Sequence, residues 1–229
     1  TMVNPRSMTS GDYNEDGYID IAVGGWNTNV LYILLNQRNG TFAVSGTTLT
    51  TDTRPFGMVT ADLNKDGAPD LVNSSGNGTV INVFINNNNG TGTFAAKVNY
   101  TVGTSPRSIA AADVDIDGDI DLAVSNNGSN NVSILKNNGA GTFAATVNVV
   151  VGTSPRGVAM ADFDKDGDID AVTSNDGSAN VSVLFNNGAG TFTLNASYAV
   201  GTTPYAVQVN DFNKDGNTDI ATVNYDSDT

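Results

Sequence analysis

Five stretches of this chain set acidic or amide side chains at alternating positions, a spacing that points to metal chemistry. Each has the form D-x-[DN]-x-D-G-x-x-D: Asp12, Asn14, Asp16, Asp20; Asp62, Asn64, Asp66, Asp70; Asp113, Asp115, Asp117, Asp121; Asp162, Asp164, Asp166, Asp170; and Asp211, Asn213, Asp215, Asp219. In a tightly turning loop, alternate residues aim their oxygens at one point, while the Gly at position six adopts a backbone conformation other residues avoid. Positions one, three, five and nine are expected to supply side-chain oxygens, and position seven (Tyr18, Ala68, Asp119, Asp168 or Asn217) its backbone carbonyl. Hard oxygen donors without nitrogen or sulfur favour calcium over transition metals, and this many carboxylates favours it over magnesium. The expected cofactor is Ca2+, about one per repeat. These loops differ from an EF-hand, because no Glu stands at position twelve and strand-like sequence follows.

Asp, Asn and Gly also dominate ordinary turns, so the argument for metal rests on five copies in register. Charge supports it. The formal net charge is -14, and every acidic residue except Asp52, Asp176, Asp226 and Asp228 lies in one of the five loops. Such crowding is self-repulsive unless cations offset it. The same charge excludes a nucleic-acid backbone or an anionic membrane as partner. With no Cys and no His, the chain has no zinc cluster of the usual kind, no Cys nucleophile and no His-based acid–base machinery. The four acids outside the loops fall in predicted turns or near the C-terminus, so they give no carboxylate pair across a cleft. We expect a binding or scaffolding module, not an enzyme. Apolar runs such as Val149–Val151 are far too short to insert in a membrane.

The elements that must position the loops follow from the repeat. Successive loops begin 50, 51, 49 and 49 residues apart, and each has a Pro seven positions upstream: Pro5, Pro55, Pro106, Pro155, Pro204. Within a unit, a short apolar stretch (Ser108 to Ala112) precedes the loop and a β-type run (Asp121 to Val124) follows it. A polar turn then leads to the alternating run Asn131–Lys136, a Gly-rich turn at 137–141, and a fourth strand expected from Phe143 to Val151. Apolar residues nowhere recur at helical spacing. A small four-stranded sheet cannot bury both faces until a neighbour stacks on it, so the fold class is all-β: a single β-propeller domain of antiparallel blades. The blades are approximately 1–50, 51–101, 102–150, 151–199 and a partial 200–229. A parallel β-helix would have much shorter repeats. The last unit has room for only two strands, which fits either five blades with the last incomplete or part of a larger propeller.

These loops, together with Asn137-Asn138-Gly139 and Gly141-Thr142-Phe143 and their repeats at Asn186-Asn187-Gly188 and Gly190-Thr191-Phe192, resemble the FG-GAP or VCBS repeat of integrin α-subunit propellers, some fungal lectins and many bacterial surface proteins. The resemblance spans almost the whole chain. It implies a calcium-binding propeller, commonly seven-bladed, with the ion in the loop joining strands one and two. It also implies an extracellular or cell-surface role in adhesion or glycan binding, or as an accessory domain of a larger protein such as a carbohydrate-active enzyme. Weak calcium sites of that kind suit a calcium-rich exterior.

A glycan or protein ligand is expected on the face opposite the calcium loops. The residue after each Pro is Arg6, Phe56, Arg107, Arg156 or Tyr205, a ring of cationic and aromatic side chains. These either cap the packing between blades or form a site for an acidic sugar or a carboxylate-bearing peptide, since Arg grips carboxylate with a fork of donors. Trp26 and Tyr225 occupy the strand two–three turn of the first and last units and become neighbours if the ring closes at five.

Overall fold

The structure, a computed structural model, describes residues 4–227; Asp228 lies outside the described residues. It contains five antiparallel sheets in chain order. The first is β1 (Pro5–Gly11), β2 (Asp20–Gly25), β3 (Val30–Asn36) and β4 (Phe42–Thr50); the second is β5 (Pro55–Ala61), β6 (Asp70–Ser75), β7 (Val80–Phe84) and β8 (Val98–Thr101). The third is β9 (Pro106–Ala112), β10 (Asp121–Asn126), β11 (Asn131–Leu135) and β12 (Val147–Val150). The fourth is β13 (Pro155–Ala161), β14 (Asp170–Asn175), β15 (Asn180–Phe185) and β16 (Thr193–Ala199), and the last holds only β17 (Pro204–Asn210) and β18 (Asp219–Asn224). A single 3-10 turn, Asp176–Ser178, is the one helical element among the described residues.

Several of the expected element bounds shift, the second and third strands of the third unit ending at Asn126 and Leu135. Strand one starts at Pro106, ahead of Ser108, and the third unit's outer strand is Val147–Val150, with Phe143 contributing only an isolated bridge to Asn137. The Gly-rich turn ahead of it ends with Ala144 still bonded to the Lys136 carbonyl, and pairing resumes only at Val147.

No sheet carries its own core. Each hydrophobic cluster is shared by two units: Leu31, Ile33 and Leu49 pack with Leu71 and Phe84, and Leu63, Val72 and Val83 with Ile109, Leu122 and Phe143. Val114, Val132 and Ile134 pack with Val158, Ala171 and Leu184, and Val172 and Val183 with Val207. Second strands with a strand on each side are consequently largely buried, and β6, β10 and β14 are buried throughout. β18 has only one flanking strand and alternates between half-buried and exposed.

The first strands pack in succession, β1 on β5, β5 on β9, β9 on β13 and β13 on β17, but β17 and β1 lack comparable packing, so the arc of sheets is not closed. Along this inner row the backbones come very near one another. A Cβ on Gly57 would lie 2.1 Å from the carbonyl oxygen of Arg107, and one on Gly157 would lie 2.8 Å from the amide of Val207. Glycine at these positions is what lets adjacent first strands meet. Each first strand opens with a Pro–bulge: the ladder shifts between Pro5 and Ser7, Pro55 and Met58, and Pro155 and Val158, where the ring removes a donor.

Candidate metal centres

All five loops fold alike, and the reason is local. The fourth residue, whether Glu15, Lys65, Ile116, Lys165 or Lys214, takes a positive φ of 56° to 66°, and the Gly at position six follows at 83° to 97°. Two left-handed residues within three tighten the chain around the first aspartate. That aspartate then accepts the amide of the Gly: Gly17 to Asp12 at 2.7 Å, Gly67 to Asp62 at 2.9 Å, Gly118 to Asp113 at 2.9 Å, Gly167 to Asp162 at 3.1 Å, Gly216 to Asp211 at 2.8 Å. The position-five carboxylate accepts the amide of position seven, from Tyr18, Ala68, Asp119, Asp168 and Asn217 onto Asp16, Asp66, Asp117, Asp166 and Asp215.

In the two all-Asp loops the carboxylates converge. Asp113, Asp115 and Asp117 bring ligand oxygens within 4.8 Å of one another, as do Asp162, Asp164 and Asp166. The ninth-position residues Asp121 and Asp170 are not in those groups. The donor set is all oxygen, and Oδ1 of Asp113 and Oδ1 of Asp115 are buried without a hydrogen-bond partner. Oδ1 of Asn14 in the first loop is in the same condition. Buried carboxylate oxygens facing one another unpartnered are costly unless a cation joins them, so these residues fit calcium.

The ninth aspartate has a second employment. Its Oδ2 accepts the amide of loop position two, from Tyr13 to Asp20 (3.0 Å), Leu63 to Asp70 (2.8 Å), Val114 to Asp121 (3.0 Å), Phe163 to Asp170 (3.0 Å) and Phe212 to Asp219 (3.0 Å). Its Oδ1 accepts an amide at or just past the end of the third strand, from Asn36, Asn86, Asn137 or Asn186, at 2.7 to 2.8 Å. Burial pushes these carboxyls up, Asp70 and Asp121 to about 6, against the pull of the two amides, and the other loop carboxylates add to the rise. Asp20 and Asp170 are raised for the same reasons. Asp16 goes the other way: burial lifts it, but the Tyr18 amide and Arg38 outweigh that and hold it below the usual range.

The Asn residues are a functional element that the loop motif alone does not reveal. Asn86, Asn137 and Asn186 each pass a side-chain N–H to the position-two carbonyl of the preceding unit's loop, at Tyr13 (2.9 Å), Leu63 (2.7 Å) and Val114 (2.7 Å). A constant spacing of 16 residues after the ninth aspartate was the available signal. An ion pair adds to the linkage, Lys65 of the second unit on Asp119 of the third, while Lys136 pairs with Asp115 of its own unit.

At the other end of the first strands the expected ring is assembled, and its members interlock. The Arg6 guanidinium lies 4.5 Å from the Trp26 ring and 4.6 Å from Phe56, Arg107 lies 4.5 Å from Phe56, and Arg156 lies 4.4 Å from Tyr205. Arg6 donates to the Tyr205 hydroxyl at 2.6 Å, spanning the first and last units. Trp26 and Tyr225 are not brought together. Trp26 meets Phe56 edge-on at 5.4 Å and Tyr225 meets Tyr205 at 6.4 Å, so each aromatic packs on a first-strand ring neighbour instead of on the other.

Among the described residues no helix is long and apolar enough to cross a membrane. The family model described as "FG-GAP-like repeat" matches residues 12–73, 71–124, 114–173 and 162–222. No curated protein matches the chain. Among solved structures, a functionally unknown protein from Desulfotomaculum acetoxidans DSM 771 superposes with a TM-score of 0.67 at 13% identity, covering 100% of this chain and 68% of that one. BBS1N, in its complex with ARL6DN soaked with lead, gives 0.66 at 12% identity over 97% of this chain; the match spans only 62% of BBS1N's own chain. The V. cholerae biofilm matrix protein Bap1 gives 0.53 at 17% identity, over 97% of this chain and 35% of that one.

Proposed function

The chain belongs to the FG-GAP-like repeat family, and on that premise we propose that it is a calcium-binding, extracellular β-propeller module that binds or scaffolds other molecules and catalyses nothing itself. The observation that carries this reading is the third loop, where Asp113, Asp115 and Asp117 converge within 4.8 Å while two of their buried oxygens lack any partner. In this reading positions one, three and five hold the ion. The ninth aspartate keeps its backbone amides and retains lone pairs for the metal, since a carboxylate offers about four acceptor sites. The loops supply rigidity, and the opposite rim is left for a ligand.

Calcium sites typical of extracellular modules have dissociation constants of about 10⁻⁴ to 10⁻³ M. The test is thermal melting in excess EDTA and again in millimolar calcium, with calorimetric stoichiometry. A calcium-dependent rise with several ions bound supports the proposal. A concentration of about one hundred times the dissociation constant stabilises a site by about 2.7 kcal/mol. An unchanged melt with no heat of binding would sink it.

A further inference from the structure

The rim at the start of the first strands holds four of the chain's five arginines, Arg6, Arg54, Arg107 and Arg156, on a protein whose net charge is -14. Between β5, β9, β13 and β17 a depression of about 310 Å³ opens there, lined by Phe56, Arg107, Arg156, Tyr205 and backbone that includes Gly57 and Gly157. That volume is at the lower end for a ligand site, room for one small molecule.

Three of the five units settle their ring position locally. The amide at the strand two–three turn is tied to the residue before the Pro in every unit: Trp26 to Asn4, Gly76 to Arg54, Asn127 to Ser105, Asp176 to Ser154 and Tyr225 to Thr203. The side chain so placed partners the ring residue in the first, fourth and fifth units: Trp26 with Arg6, Asp176 with Arg156 through a 2.6 Å bond, and Tyr225 with Tyr205. In the second unit the position is Gly76, and Phe56 is covered from either side by Arg6 and Arg107. The third unit has Asn127, which bonds weakly to the Pro155 carbonyl at 3.5 Å and makes no hydrogen bond to Arg107.

Arg107 is therefore the exception. Its Nε is a buried donor with no hydrogen-bond partner, and no carboxylate pairs with it among the described residues. Its neighbours are cationic: burial, then Arg156 and Arg6, hold its guanidinium below the usual range. The acids at this end are already committed, Asp176 to Arg156 and Asp226 to the Thr203 hydroxyl. Its backbone is also held, because the Ser74 hydroxyl donates to the Arg107 carbonyl at 2.7 Å, as the Ser125 hydroxyl does to the carbonyl of the neighbouring Arg156 at 2.5 Å. A half-buried guanidinium, stacked on Phe56, locked at its backbone, surrounded by like charge and facing a small cavity, is a preorganised receptor for an anion.

We propose that this depression binds a small carboxylate-bearing ligand, with Arg107 as its principal contact. Carboxylate is the favoured anion because the planar guanidinium fork matches two oxygens on one carbon. The site is independent of the calcium loops, which lie at the far ends of the same strands, about 20 Å away for a seven-residue strand, so its failure and that of the metal proposal are read separately.

The test titrates the calcium-loaded protein with galacturonate, N-acetylglycine, galactose and sulfate by calorimetry, with calcium stoichiometry measured on the same sample. Saturable binding of galacturonate or N-acetylglycine, absent for galactose and weaker for sulfate, supports the proposal and tells a sugar carboxylate from a peptide one. Arg107→Gln should weaken that binding about tenfold or more, while Arg54→Gln, outside the cavity, leaves it unchanged. No saturable binding by either carboxylate, equal binding of sulfate or galactose, or unchanged affinity in Arg107→Gln overturns it. Should Arg107→Gln not fold, amide shifts in the unsubstituted protein give the same answer: movement at Gly57, Ser108 and Gly157 supports the site, and movement confined to the acidic loops overturns it.

Discussion

The third and fifth loops have the same motif and the same backbone path, yet they are held very differently. Asp121 is fully buried, with one oxygen on the Val114 amide and the other on that of Asn137, two residues past β11. Asp219 is half-buried and takes amides only from within its own loop, Phe212 at 3.0 Å and Asn213 at 3.3 Å, because no third strand lies beside β18. The loop sequence is therefore enough to form the turn. What makes it rigid is the third strand of its own unit and the Asn of the next.

Substituting Asp121→Ala leaves two buried amides without an acceptor and should cost about 3 kcal/mol, against about 1 kcal/mol for Asp219→Ala, as read by chemical denaturation. Equal losses would dissolve the comparison. Asn137→Ala comes next. It deletes bonds to the Leu63 and Ile120 carbonyls, should cost about 2 kcal/mol, and should weaken calcium binding in the second loop as well as the third.

Acidity sharpens the contrast further. The folded-state carboxyls of Asp70 and Asp121 sit at about 6, whereas an unfolded aspartate titrates near 3.9. Between those values the folded state holds more protons, so the calcium-free protein should grow more stable as pH falls from 7 toward 5. Saturating calcium should reverse the trend, since the ligand oxygens must be ionised. Melting temperatures across that window, with and without EDTA, check both signs, and Asp121→Asn should flatten the calcium-free curve. Lys65→Gln, which removes an ion pair between an exposed lysine and the buried Asp119, should move the melting temperature least of all.

The all-β class, the four-stranded units and the convergence of positions one, three and five in the two all-Asp loops were readable from spacing, because each is decided within about ten residues by turn chemistry and side-chain alternation. Contacts between units were not. Nothing in Asn137 announces that its amide reaches Leu63, 74 residues away, and nothing in Trp26 says that it will pack on Phe56 and not on Tyr225. Those outcomes depend on how closely neighbouring first strands approach, which glycines such as Gly57 permit. The ring after the prolines was legible as a set of residues; the lack of a partner for Arg107 emerged only once Asn127 was seen to turn toward Pro155.

The Asn links between units also bear on how the loops respond to one another. Each loop from the first to the third has its second-position carbonyl gripped by the following unit, while that unit's own ninth aspartate grips the same Asn through its amide. Ordering one loop therefore lowers the entropic cost of ordering the next. On the calcium-binding reading proposed above, the sites would form a chain of nearest-neighbour couplings, and the last loop, which has no such link among the described residues, is expected to fill last.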